Sequence, residues 1–292
     1  MTKTAFVFPG QGSQAPGMGK ELYETNSVAR ETFQQADKAL GFSLTDLIFN
    51  GTAQDLQKTC NAQPAILTVS IALFRAGNVL PDIAAGHSLG EYSALVAAGV
   101  LDFADAVGLV RFRGECMERA VPDGQGGMAA ILGLLDNDIE SALVKYAGKV
   151  EIANYNCPGQ TVISGETDAV RQACADLTAL GAKRAVPLAV SGPFHSGLMR
   201  PAAEEYRQRL DRTRLNDPRL PVVANVTADY ARDAASIREL LYRQVFSAVR
   251  WTQSVVKMLA DGVNTIEEIG PGRVLTGLVK KIQGADIKHR AL

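Results

Sequence analysis

The chain has 292 residues, 47% hydrophobic and 21% charged, which is enough for one large domain, or a large domain carrying a smaller one, to bury a sizeable core. Thirty basic residues face thirty-one acidic ones; this removes any bulk electrostatic case for nucleic acid or an anionic membrane and leaves a local basic patch as the route to an acidic partner. No stretch approaches the about 18 continuous apolar residues of a membrane helix, and the apolar run in MTKTAFVFPG ends too early, at Pro9-Gly10, for a signal peptide.

The four cysteines, Cys60, Cys116, Cys157 and Cys174, form no C-x-x-C pair, and only three histidines accompany them. A metal site or disulfide framework is therefore not expected, and the reading is of reduced thiols in a cytoplasmic protein.

In chain order, TAFVF (Thr4–Phe8) reads as a short buried strand stopped by PGQGSQAPGMG. Glu21 to Ala39 reads as helical, as does QPAILTVSIALFRAG. PDIAAGHS supplies a second apolar strand, GEYSALVAAG a helix ending at Gly99, and FADAVGLVRFRGECMERA a further helix. Beyond the middle of the chain come a strand in LPVVANVTA, helices in SIRELLYRQVF and WTQSVVKMLADG, a strand in NTIEEIGPG and a last helix in RVLTGLVKKI. Short strands alternating with helices predict a parallel sheet covered on both faces.

The middle has another rhythm. GGMAAILGL, DNDIESALVKYA, KVEIANYN, QTVISGE, DAVRQACADLTALG and KRAVPLAV follow the order β-α-β-β-α-β, the ferredoxin-like pattern. The expected organisation is α/β: a large domain of residues 1–122 and 197–292, and a small ferredoxin-like subdomain of residues 123–196 inserted into it.

Gly86-His87-Ser88-Leu89-Gly90 matches G-x-S-x-G, which places a serine on a sharp strand-to-helix turn. Glycine suits a turn too tight for side chains. The turn exposes Oγ and aims the Leu89 N–H and the helix N-terminus at a developing oxyanion. A serine nucleophile needs a base at neutral pH. Of the three histidines, His289 lies in the polar C-terminal tail and His87 flanks the serine with its side chain expected to point away. His195, in the loop SGPFHSG, remains. Asp217, Asp229, Asp233, Glu267 and Glu268 are all open as the acid that would orient an imidazole. Gly10-Gln11-Gly12-Ser13-Gln14-Ala15 formally fits a dinucleotide fingerprint, but a second strand ending in an acidic residue should follow and a helix is expected instead. That loop can donate a second N–H to an oxyanion, and Gln11 is placed for it.

FVFPGQGSQ, QPAILTVS, GHSLGEYSAL, RFRGECM, NYNCPGQTVISG, PFHS and EIGPGRVLTGL together resemble the malonyl-CoA:acyl carrier protein transacylases of bacterial fatty acid synthesis, from the first strand to the last helix. The resemblance implies an α/β-hydrolase-like domain with an inserted ferredoxin-like one. It further implies Ser88 as nucleophile and His195 as base and then acid. The Gln11 and Leu89 N–H groups would form the oxyanion hole, Arg113 would hold the malonyl carboxylate, and a backbone carbonyl near Gln244 would orient the histidine. Phe194 fits malonyl-selective members. No cofactor or metal is implied; the partners are malonyl-CoA and an acidic acyl carrier protein bearing phosphopantetheine, for which a lysine and arginine patch is expected near the mouth. The competing readings are a trans-acting acyltransferase of a polyketide synthase, a serine thioesterase or hydrolase, and a silent scaffold that docks carrier proteins.

Overall fold

The computed structural model describes residues 2–122, 124–190, 192–282 and 287–289. Asp123, where the inserted unit is expected to begin, and the His289 side chain lie outside the described residues. Ten strands occur among them: β1 (Thr4–Phe8), β2 (Ile83–Gly86), β3 (Gly126–Leu132), β4 (Val150–Cys157), β5 (Gln160–Glu166), β6 (Arg184–Pro187), β7 (Val222–Ala224), β8 (Asp229–Ala231), β9 (Thr265–Glu268) and β10 (Ile287–His289).

Six strands form one sheet in the order β10-β9-β1-β2-β7-β8. Every pairing is parallel except β7 with the edge strand β8. TAFVF and IAAG lack the polar alternation of a half-exposed strand because both faces are covered. Phe6 and Phe8 pack into the cluster built with the helices Ser27–Leu40, Thr59–Gly77 and Phe103–Arg119. Ala5 and Val7 point the other way, into a cluster with Trp251, Val255 and Leu275. The ends of β1, β2 and β7 all run into loops at the carboxyl edge of this sheet, where open α/β sheets place their binding crevice.

The helix Thr59–Gly77 contains Pro64, which cannot donate to the Cys60 carbonyl one turn earlier. Arg111 Nη1 donates to that carbonyl instead, at 3.3 Å, so the buried helix continues through the proline.

The second sheet has the order β4-β5-β3-β6 and is antiparallel throughout. The helices Asp136–Leu143 and Thr167–Ala179 cover it through Ile139, Ala173 and Leu177, which pack on Ala129, Ile131 and Ile163. This is the ferredoxin-like order that the middle of the chain predicts. Met128, Ala153 and Val162 belong instead to the core of the large sheet. Backbone bonds from Tyr155 N to Val249 O (2.9 Å) and Val249 N to Ala153 O (2.8 Å) tie β4 to the large part.

The structure corrects some expectations. The helix read across Glu21 to Ala39 is two, Lys20–Thr25 and Ser27–Leu40, because Asn26 is extended and its side chain accepts from Ala29 N to cap the second. The strand expected in LPVVANVTA is β7, which ends at Ala224; the chain then turns through Ala228 (φ 53°) into β8, which the sequence reading lacks. The helices Leu44–Asn50, Ala53–Gln57 and Arg200–Leu210 and the edge strand β10 were not anticipated.

Candidate active site

Ser88 sits between β2 and the helix Leu89–Ala97 with φ 51° and ψ −106°, a conformation that costs a non-glycine residue about 1–3 kcal/mol. The flanking glycines make the turn physically possible. A Cβ on Gly86 would lie 2.0 Å from the Gly90 carbonyl carbon, and one on Gly90 would lie 1.9 Å from the Phe8 carbonyl oxygen. Asn225, just past β7, clamps the strained turn from both sides. Its Oδ1 accepts from Ser88 N at 2.7 Å, and its Nδ2 donates to the Gly86 carbonyl at 2.6 Å.

His195 Nε2 lies 2.8 Å from Ser88 Oγ. The imidazole Nδ1 faces the Gln244 carbonyl at 2.8 Å and the Ser247 carbonyl at 3.2 Å. Carbonyl oxygens only accept, so Nδ1 carries the hydrogen and Nε2 is left to accept from the serine hydroxyl. None of the five acids left open by the sequence performs this task. Asp217 accepts from Ala234 N, Asp233 caps the helix Ala234–Gln244, and Glu268 accepts from Leu275 N and Thr276 N. Asp229 lies on the edge strand near Lys257, and Glu267 lies in β9. His87 does turn away: its Nε2 meets Asn156 Oδ1 at 2.9 Å, and its ring packs on Trp251.

His195 is 4% exposed. Burial first, and the Arg113 charge second, push its pKa down to about 3 from an ordinary 6.5. The folded value lies below the unfolded one, so the unfolded chain takes up this proton first. The stability associated with the neutral imidazole is full above about pH 6.5 and is lost as pH falls toward 3. The ring resonances of His195 are therefore expected not to titrate between pH 8 and 5 in an NMR titration of the folded protein; a midpoint near 6.5 would contradict this environment.

Arg113 is 1% exposed and lies over the Tyr92 ring. Its Nη1 donates to Gln63 Oε1 at 2.9 Å, its Nη2 to Gln244 Oε1 at 3.0 Å, and Nη2 is also 3.4 Å from Ser88 Oγ. Among the described residues its hydrogen-bond acceptors are neutral, and no carboxylate forms a salt bridge with it. A buried cation held by neutral amides is costly until an anion joins it.

Ser88, His195, Arg113, Gln11 and Leu89 all line one cavity of about 290 Å³. Apolar walls come from Met117, Met128, Leu188, Val190 and Phe194. The lining carries no lysine and no arginine besides Arg113, so the basic patch expected near the mouth is not part of it. Leu89 opens its helix, so its N–H has no carbonyl one turn back inside that helix to bond. Gln63, Glu91 and Asn225 went unnoticed in the sequence. The signal available for each was a polar residue inside an apolar stretch, in NAQPAIL, LGEYSALVA and VVANV.

The acyl transferase domain family model matches residues 5–291. The malonyl CoA-acyl carrier protein transacylase of Bacillus subtilis (strain 168) is 53% identical over 288 residues, covering 97% of this chain and 91% of that protein. The enzyme of the same description from Escherichia coli (strain K12) is 50% identical over 288 residues, covering 97% of this chain and 93% of that protein. The chain belongs to the malonyl CoA-acyl carrier protein transacylase family. Among solved structures, an acyl carrier protein S-malonyltransferase from Vibrio cholerae superposes with a TM-score of 0.96 at 46% identity, covering 99% of this chain and 97% of that one. A malonyl-transacylase in complex with a type II PKS acyl-carrier protein superposes with a TM-score of 0.96 at 44% identity, covering 99% of this chain and 96% of that one. The cavity of this family member holds the serine, histidine and arginine that the sequence singled out. Among the described residues no group of three or more His, Cys, Asp or Glu could hold a metal ion, and no helix is long and apolar enough to cross a membrane.

Proposed function

We propose that the chain transfers the malonyl group from malonyl-CoA to the phosphopantetheine thiol of an acyl carrier protein, without metal or cofactor, in the cytoplasm. The observation that carries this reading is the environment of Ser88 Oγ, with a neutral imidazole at 2.8 Å and a buried guanidinium at 3.4 Å. One group removes a proton and the other reads an anion beside the reacting atom.

In the first half-reaction Ser88 Oγ attacks the thioester carbonyl carbon as its proton passes to His195 Nε2. The carbonyl oxygen becomes an oxyanion, for which the Gln11 and Leu89 N–H groups are the donors in this reading. Collapse breaks the C–S bond, and His195 returns its proton to the CoA thiolate, leaving a malonyl-serine ester. In the second half-reaction the carrier thiol gives its proton to His195 and attacks the ester. Collapse then expels Ser88 Oγ, which recovers that proton. Arg113 holds the free malonyl carboxylate throughout, its planar fork suiting two parallel hydrogen bonds. The Gln244 carbonyl keeps the imidazole in the tautomer both halves require. In this reading the catalytic domain is residues 1–122 and 197–292, and residues 123–196 form the inserted unit.

A polyketide carrier is a second reading, favoured by the 44% identical malonyl-transacylase whose structure holds a type II PKS acyl-carrier protein. Activity compared with fatty-acid and polyketide carriers separates the two. A hydrolase that passes the malonyl group to water would use Arg113 in the same way, and the fate of that group separates it from a transferase. Incubation with malonyl-CoA alone is expected to leave a malonyl adduct on the peptide bearing Ser88, seen by mass spectrometry and absent from Ser88→Ala. An adduct that persists in Ser88→Ala, or free malonate in place of an adduct, would overturn the proposal.

A further inference from the structure

Glu91 is the third residue of the helix that Ser88 opens and is 2% exposed. A glutamate at this position ordinarily reaches back to the N–H of its own N-cap residue. Here that N–H, on Ser88, is taken by Asn225 Oδ1 at 2.7 Å. The carboxylate reaches sideways instead. Its Oε2 accepts from Asn225 N at 3.1 Å and from Gln244 Nε2 at 2.7 Å. It thus joins the serine helix to the end of β7 and to the end of the helix Ala234–Gln244.

The bond to Gln244 has a chemical consequence. A primary amide has a donating end and an accepting end, and a flip exchanges them. With its nitrogen on Glu91 and on the Ser88 carbonyl (3.0 Å), Gln244 presents Oε1 to Arg113 Nη2 at 3.0 Å. The opposite orientation would set an oxygen against the carboxylate and N–H groups against the guanidinium, two repulsions in place of two attractions. The backbone carbonyl of the same residue holds His195 Nδ1.

We propose that Glu91 is a positioning residue: its carboxylate sets the polarity of the Gln244 amide, and through it the seating of Arg113 and the registration of His195 about Ser88. The proposal rests on the reading of Ser88, His195 and Arg113 given above. Glu91 touches no reacting atom. Burial raises its pKa to about 7, against the lowering influence of Gln244, Asn225 and Arg113, so the bonds it accepts are what retain its charge near neutrality.

The test compares malonyl-CoA and acetyl-CoA as acyl donors for Glu91→Ala, Glu91→Gln and Arg113→Ala, with thermal unfolding of each. Glu91→Ala removes the charged acceptor of the Gln244 nitrogen and leaves it the weaker Ser88 carbonyl, so the bias against the flipped amide drops and the ratio of malonyl to acetyl kcat/KM is expected to fall about tenfold or more, the worth of a hydrogen bond to a charged group. Glu91→Gln keeps an oxygen for the two donors at the same volume, and its ratio is expected to lie between Glu91→Ala and the unmodified protein. A purely structural role would lower both donors together and leave the ratio where it was. An unchanged ratio in either folded variant therefore overturns the proposal, and Glu91→Gln decides alone if Glu91→Ala does not fold. Arg113→Ala separates the two levels: if its ratio is also unchanged, the reading of Arg113 has failed; if its ratio collapses while the Glu91 variants keep theirs, only the role of Glu91 has.

Discussion

His195→Ala is expected to lower the rate of Ser88 acylation by about 10⁴-fold or more, the scale on which a member of a nucleophile–base pair is lost. The serine hydroxyl keeps its place in the strained turn but has no acceptor for its proton. His87 cannot substitute, because its Nε2 is engaged with Asn156 at 2.9 Å and its ring is packed against Trp251. His87→Ala should accordingly be much milder. Release of CoA in a quenched-flow experiment with malonyl-CoA measures the step, and a His87→Ala defect larger than that of His195→Ala would reverse the assignment.

Arg113→Ala is expected to lose malonyl transfer while keeping or gaining acetyl transfer. Malonyl and acetyl thioesters differ by one carboxylate, and a desolvated guanidinium rewards that group and is left unpaired without it. Each hydrogen bond to a charged group contributes about 1.5–3 kcal/mol, so the preference for malonyl should drop tenfold or more. Arg113→Lys should recover only part of it, since a point charge lacks the planar fork. The substitution also strips the donor from Gln63 Oε1 and from Gln244 Oε1, so a lower melting temperature should accompany it. Acylation rates with both thioesters decide the matter; an equal fall for the two would mean that Arg113 serves the fold or the CoA.

What the sequence made legible follows from how local each feature is. TAFVF and IAAG announce a doubly covered sheet because burial on both faces leaves an unbroken apolar run. The serine turn is legible because its steric demand falls on residues two positions away, Gly86 and Gly90. The β-α-β-β-α-β rhythm predicts the second sheet because its turns and periodicities are all short-range. Asn26 was missed as a break because a single capping residue interrupts the helical periodicity too briefly. Glu91, Asn225 and Gln63 were missed for a different reason. Glu91 and Gln244 are 153 positions apart, Asn225 and Ser88 are 137, and Gln63 and Arg113 are 50. No spacing rule reaches that far. The resemblance alone pointed to Gln244, and only as a carbonyl; its side chain, bonded to Arg113, Glu91 and Ser88, carried no local mark.

The backbone bridge between β4 and Val249 lies within five residues of both carbonyls that hold His195, and His195 itself enters just after the last strand of the small sheet. The His195 imidazole is thus suspended across the seam between the two sheets, led in from one side and gripped by a strip of chain stitched to both. A slip of one sheet against the other would therefore displace the imidazole. If Ser88 is acylated as proposed, its rate of acylation gauges how firmly the seam is closed, and the small sheet is a splint for the His195 imidazole as much as a wall of the cavity.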